Sequence, residues 1–187
     1  MLYFFRLNPF ILCAILPKGR QGTAITATMY NDTKALLEKI LNVFDKYDKT
    51  NIPSDITDVP IVDLVTEDTV SIACYFSITD GSVSQAEADV FNTVFGTLKT
   101  PEEMTEMIDD GESILERIGT TFNVIAETEK VLGIYTLHKT MIVPLIKFFE
   151  SFADNIIRAE EYDESEIEAF NIFFSKIESV LTAIPRE

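Results

Sequence analysis

Cysteine, histidine, glycine and basic residues are all scarce in this chain of 187 residues, and each shortage argues against a class of function. The two cysteines, Cys13 and Cys74, are far apart in apolar surroundings, which gives no support to a structural disulfide or a cysteine-rich metal site. The single histidine, His138, sits in an apolar stretch, so a nucleophile activated by a neighbouring imidazole has almost nothing to be built from. Seven glycines are spread along the chain without clustering, whereas a phosphate-cradling loop needs them close together. Only 15 basic residues stand against 31 acidic ones, and the formal charge of −16 repels phosphate backbones and anionic headgroups. Nucleic acid and acidic membrane surfaces are therefore poor partners. No catalytic constellation emerges, and the expectation is a protein that is not an enzyme.

Apolar residues are plentiful, at 47% of the chain, enough to bury one substantial core without a second domain. Their distribution has a break near Met29. Residues 1–28 carry Arg6, Lys18 and Arg20 and no acid, so 29–187 hold all 31 acids and the other 12 bases, a net of −19. The apolar run Phe10 to Leu16 is followed by Lys18 and Arg20 where a signal peptide has small residues and a cleavage site. It is also shorter than the roughly 20 residues a membrane span takes. Three readings of 1–28 stay open: a start placed upstream of a true one at Met29, an apolar tail that packs or mediates contacts, and a targeting or anchor segment. The domain is accordingly placed at 29–187.

Helical periodicity dominates that domain. Asn31 to Thr33 offer a cap, and Leu36, Leu37, Ile40, Leu41, Phe44 and Tyr47 form one face of a helix at about 32–48. Thr66-Glu67-Asp68 reads as the start of a second helix, with two acids at the positive end of its dipole, running to about 79 and closing at Asp80-Gly81. Ser84 and Glu87 form a capping box for a third helix, whose stripe is Val90, Phe91, Val94, Phe95 and Leu98. Thr100-Pro101 starts a short fourth helix, with proline in the first helical position where its missing N–H is harmless. A fifth helix follows Gly111 and ends near Ala126. The stretch from about 129 to 159 is apolar on most sides and interrupted by Lys139, Lys147, Glu150 and Asp154, which argues against a membrane span. Pro144 lies within it and is expected to kink or split it. The last helix is read at about 163–183 from Ile167, Phe170, Phe174, Ile177, Leu181 and Ile184. No segment alternates with the two-residue period of a strand. The expected fold is all-α, a compact bundle of about seven helices wrapped around that apolar element.

Two of these helices read as copies. Residues 86–95 align without a gap on 165–174, keeping Glu87 and Glu166, Phe91 and Phe170, Asn92 and Asn171, and Phe95 and Phe174, with the capping residues Ser84 and Asp163 three positions before the matching glutamates. An internal repeat of this kind points to a duplicated helical unit within one domain.

The stretch Ala73-Cys74-Tyr75-Phe76-Ser77-Ile78-Thr79-Asp80-Gly81-Ser82-Val83-Ser84-Gln85-Ala86-Glu87 resembles the TerB-like tellurite-resistance family, whose motif is Asp-Gly-x-(Val/Ile)-(Ser/Asp)-x-x-Glu between two helices. About 25 residues carry the specific match, and the duplication extends it loosely over about 30–187. The second copy departs from the motif, with Ala159 to Asp163 where an Asp-Gly turn would be. The resemblance implies a compact all-α domain of a bacterial stress-response system, cytoplasmic, with an acidic face proposed to hold divalent metal. Carried over by position, the metal candidates are Asp80 and Glu87, with Gly81 forming the turn. A complete calcium loop is ruled out, because Phe76 and Ile78 fall on its first and third ligand positions. Helix capping by Asp80, Gly81, Ser84 and Glu87, with Val83 in the core, accounts for every residue of the motif and is preferred on the residues alone.

Acidic residues gather at 102–112 and 160–168, in first turns of helices and the links between them, where they suit helix dipoles. If the two halves pack about a pseudo-twofold axis, these clusters form one acidic face for a basic partner protein or loosely held cations. The readings carried forward are a protein-interaction module, a divalent-cation-binding protein using Asp80 and Glu87, and a small-molecule or hydrolytic pocket near Pro144 and His138.

Overall fold

Helix α1 buries Leu37, Ile40 and Phe44, the three-four stripe expected of it, and leaves Leu36 at the margin. In the computed structural model, which describes residues 22–108, 111–135, 140–160 and 164–183, this helix spans Gly22–Asp48. It begins about ten residues before the Asn31 to Thr33 cap and runs through the composition break at Met29. Thr33 is no cap: its hydroxyl donates to the Met29 carbonyl at 3.0 Å inside the helix.

Six further helices follow among the described residues: α2 Ile61–Phe76, α3 Gln85–Phe95, α4 Pro101–Thr105, α5 Gly111–Val131, α6 Ile142–Ile157 and α7 Glu164–Ala183, with a single 3-10 turn at Pro53–Asp55. The fold is an all-helical bundle, and the described residues contain no strand.

Helix α2 starts five residues before Thr66, because its first N–H groups are capped from outside the local sequence. The carboxylate of Asp48, the last residue of α1, accepts from Ile61 N at 2.9 Å and Val62 N at 3.1 Å. Thr66 lies inside the helix and bonds back to Val62 O. Asp68 is a core position, wholly buried, and not a first-turn acid. Helix α3 ends at Gly96, which takes φ 67° and closes the helix, so Leu98 falls outside the buried stripe and is 94% exposed. Helix α5 continues past Ala126 to Val131.

The apolar stretch from 129 to 159 is divided, but not at its proline. The break lies at Leu132–Gly133, where Gly133 has φ 68°, and Pro144 sits in the first turn of α6, where a missing N–H leaves no bond unmade. His138 lies outside the described residues. Helix α6 is the apolar centre: Leu145, Phe148, Phe149, Phe152 and Ile156 are fully buried, and it packs against α1, α2, α3, α5 and α7. Each buried phenylalanine contributes about 1.5–3 kcal/mol relative to exposure.

The pairing pattern has a regularity that periodicity alone does not reveal. Helix α1 packs on α2 and α3, as α5 packs on α6 and α7; α2 packs on α5 as α6 packs on α1; and α2 packs on α6. Exchanging α1, α2 and α3 for α5, α6 and α7 leaves these pairings unchanged, as for two three-helix units related by a pseudo-twofold axis. The α3–α6 contact has its counterpart in the rings of Tyr75 and Phe76 on α2, which meet Phe170, Phe173 and Phe174 of α7 at centroid separations of 5.3–6.0 Å.

Candidate functional site

The Asp-Gly segment is the link between α2 and α3. After the helix ends at Phe76, Gly81 N donates to Ile78 O at 2.8 Å, and Gly81 takes φ 109°, a conformation that costs glycine little. Asp80 Oδ1 accepts from Ser82 N at 3.1 Å and tightens the turn. The chain then extends into Ser84, whose hydroxyl accepts from Glu87 N at 3.2 Å while Glu87 Oε2 accepts from Ser84 N at 2.8 Å. This is a complete capping box.

Glu87 is only 4% exposed. Burial pushes its carboxyl up to about 7; the bonds from Ser84 oppose this, and the negative charges of Asp80 and Glu166 add to it. Glu166, the matching glutamate in the first turn of α7, is 5% exposed. The repeat thus brings its two glutamates within electrostatic reach of each other. Asp80 is exposed on the turn, whereas Asp163 lies outside the described residues. Among the described residues no three of His, Cys, Asp and Glu gather as a set of metal ligands, and one oxygen of Glu87 is already committed to Ser84 N.

Sequence reasoning does not single out the roles of three further acids, Asp48, Asp68 and Glu129. Asp48 caps α2, as described. Glu129, 1% exposed near the end of α5, performs the corresponding task for α6: its Oε1 accepts from Met141 N at 2.8 Å and from the Tyr47 hydroxyl at 3.1 Å, and its Oε2 has no hydrogen-bond partner among the described residues. Burial, then the charge and hydrogen bond of Glu129, raise the Tyr47 phenol above its ordinary value. Asp68 crosses from α2 to α5, where Arg117 Nε donates to its Oδ1 at 3.0 Å. Burial lifts the Asp68 carboxyl to about 6 against the pull of Arg117. One signal exists for Asp68: it lies between Val65 and Ile72 at three-four spacing, an acid on an apolar stripe. Nothing local marks Asp48 or Glu129, because their partners lie across a loop.

Between α5 and α7 the surface holds a groove of about 250 Å3 near the C-terminal end of α2. Tyr75, Leu115 and Phe173 form its apolar lining, and Glu112, Ile172 and Lys176 complete its edge. Gly111 lets the Tyr75 ring approach closely: a Cβ would stand 3.0 Å from it, and the ring would have to shift by a few tenths of an ångström. Pro144, beside which the sequence suggests a pocket, takes no part in its lining.

No protein-family model, curated protein or solved structure matches this chain.

Proposed function

We propose that this chain is a non-enzymatic, TerB-like helical module of a bacterial stress-response system of the tellurite-resistance type, acting by contact between its acidic surface and a basic partner protein. The observation that carries this reading is the convergence of the two repeats. The first turns of α3 and α7 lie within electrostatic reach through Glu87 and Glu166. Exposed acids project around the start of α5 and α7, at Glu112, Glu116, Glu164 and Glu168. Such a field steers a basic surface toward the bundle and repels anionic ones. The test is capture from a bacterial lysate on wild-type protein and on a variant with Glu112, Glu116, Glu164 and Glu168 changed to Gln. The reading expects a discrete set of basic proteins held by the wild type and released by the variant at equal thermal stability. Equal capture by both overturns it.

The second reading is divalent-cation binding at Asp80 and Glu87, favoured by the charge crowding around Glu87, which a cation would relieve. Calorimetric titration of chelator-stripped protein with calcium, magnesium and zinc, repeated on Asp80→Asn with Glu87→Gln, decides it. Saturable binding lost in the double variant supports the cation; absence of binding to either form leaves the motif as a helix cap.

A further inference from the structure

Helices α5 and α7 run in the same direction where they meet. A Cβ on Gly119 would stand 3.3 Å from Val180 Cγ1, so the two helices pack closely at that level. Eight residues earlier on each helix, Gly111 and Ile172 line the groove, with Glu112 and Leu115 on one wall and Phe173 and Lys176 on the other. At 1.5 Å per residue the groove lies about 12 Å from the Gly119 contact, toward the start of α5. In the same register Glu112 stands level with Phe173 and Lys176 with Leu115, which puts the two charged residues on facing walls within about one helical turn of each other.

The floor is apolar and largely aromatic. Tyr75 stacks on Phe173 with ring centroids 5.3 Å apart and planes 30° from parallel, and Leu115 lies buried beside them. Ile172, half exposed, extends this surface to the edge. A cavity of about 150 Å3 holds benzene, so a volume of about 250 Å3 holds a phenyl or branched aliphatic group with a few polar atoms besides. The opposite charges of the walls restrict what those polar atoms are. A cationic ligand is opposed by Lys176, and an anionic one by Glu112 and by the formal charge of −16. A molecule carrying both signs beside one apolar body satisfies the floor and both walls, and an apolar α-amino acid is such a molecule.

We infer that the α5–α7 groove binds a free apolar α-amino acid of about the size of phenylalanine, with its side chain on Tyr75 and Phe173, its carboxylate at Lys176 and its ammonium at Glu112. This goes beyond the proposed function and does not depend on it, because a basic partner steered by the acidic surface makes no use of Lys176.

The test is a titration of the full, isotope-labelled chain with L-phenylalanine, followed by amide chemical shifts. Two analogues are titrated beside it: 2-phenylethylamine, which lacks the carboxylate, and 3-phenylpropanoate, which lacks the ammonium. The expected result is saturable binding with a Kd on the order of 1 mM or tighter, with the shifts centred on residues 111–115 and 172–176. Each analogue should bind about five-fold more weakly, the loss of one charge-assisted contact at an exposed rim. Lys176→Gln removes one of the two charges from an exposed position, and Lys39→Gln makes the same change on the exposed face of α1. The first should weaken phenylalanine by about five-fold and leave 2-phenylethylamine no weaker, while the second should change neither. No saturable shift up to about 20 mM overturns the inference. So do shifts centred outside the groove, equal affinity for phenylalanine and both analogues, or equal behaviour of the two lysine variants.

Discussion

Asp48 and Glu129 do the same job in the two halves of the molecule under different conditions. Each is an acid near the end of one helix that receives the first N–H groups of the next, α1 serving α2 and α5 serving α6. Asp48 divides its two oxygens between Ile61 N and Val62 N at a half-buried position. Glu129 is almost wholly buried, places Met141 N and the Tyr47 hydroxyl on one oxygen, and leaves the other without a partner among the described residues. Most helix pairings correspond between the halves, although α6 packs on α7 with no α2–α3 contact of like extent, while side-chain chemistry differs. A duplicated framework constrains where helices meet; how each junction satisfies its polar groups is settled locally.

The strongest way to break this comparison is to remove both acids separately. Glu129→Ala should cost about 3 kcal/mol, since it empties a site buried in the core and removes the acceptor of both Met141 N and the Tyr47 hydroxyl, whereas Asp48→Ala, which truncates a half-buried cap, should cost about 1 kcal/mol. Urea midpoints at constant m-value measure both, and equal losses would show the junctions to be energetically equivalent.

The paired glutamates give the next largest effect. A carboxyl raised to about 7 in the folded protein contributes stability that is fully present below its unfolded value of 4.5 and is lost as pH rises through 7. Wild type should thus lose stability between about pH 4.5 and 7, with no further loss from this group above that window. Glu87→Gln, which keeps the capping box, should flatten that dependence and gain about 2 kcal/mol at pH 8. Glu166→Gln should lower the upper end of the window by withdrawing one of the charges that raise Glu87. Thermal unfolding across pH 4–9 provides the readout; a wild-type profile identical to that of Glu87→Gln would contradict the burial-raised carboxyl of Glu87, and an unchanged window in Glu166→Gln would contradict its coupling to Glu166.

Asn92 and Asn171 hold the same place in the repeat and sharpen the contrast further. Asn92 donates to Lys99 O at 2.8 Å and accepts from Lys99 N at 2.7 Å and the Thr97 hydroxyl at 2.8 Å, tying down the link to α4, whereas Asn171 is exposed. Asn92→Ala should cost about 1.5 kcal/mol and Asn171→Ala less than about 0.5 kcal/mol, a difference read from urea midpoints. The Asp-Gly turn, whose sequence occurs in one half only, comes last. Gly81→Ala should cost about 1 kcal/mol in thermal unfolding through its positive φ alone, since a Cβ there meets nothing within 4 Å.

Legibility in the sequence varies with how local the interactions are. The capping boxes of α3 and α4 are readable because cap and glutamate are three residues apart and bond to one another's backbone. Phe173, 2% exposed, falls outside the stripe that spacing defines for α7 because its burial comes from Tyr75 and Phe76 on α2. The starts of α1 and α2 differ from their expected places for related reasons. Thr33 and Thr66 look like caps but turn inward to carbonyls four residues back, and the true cap of α2 is delivered by Asp48 from the preceding helix. Of the candidate site, the turn and its glutamate are visible in the sequence, while the approach of Glu166, the groove, and the roles of Asp68 and Glu129 are not.

By itself the sequence determined the all-helical class, the duplication, the apolar centre at α6 and the chemistry of the Asp-Gly turn, because each follows from residues within one or two helical turns of one another. Tertiary structure alone decided which acids are buried, which helix end each one caps, and that the two repeat glutamates come within electrostatic reach. Those outcomes depend on contacts between residues as distant as Tyr47 and Glu129, which no local pattern encodes.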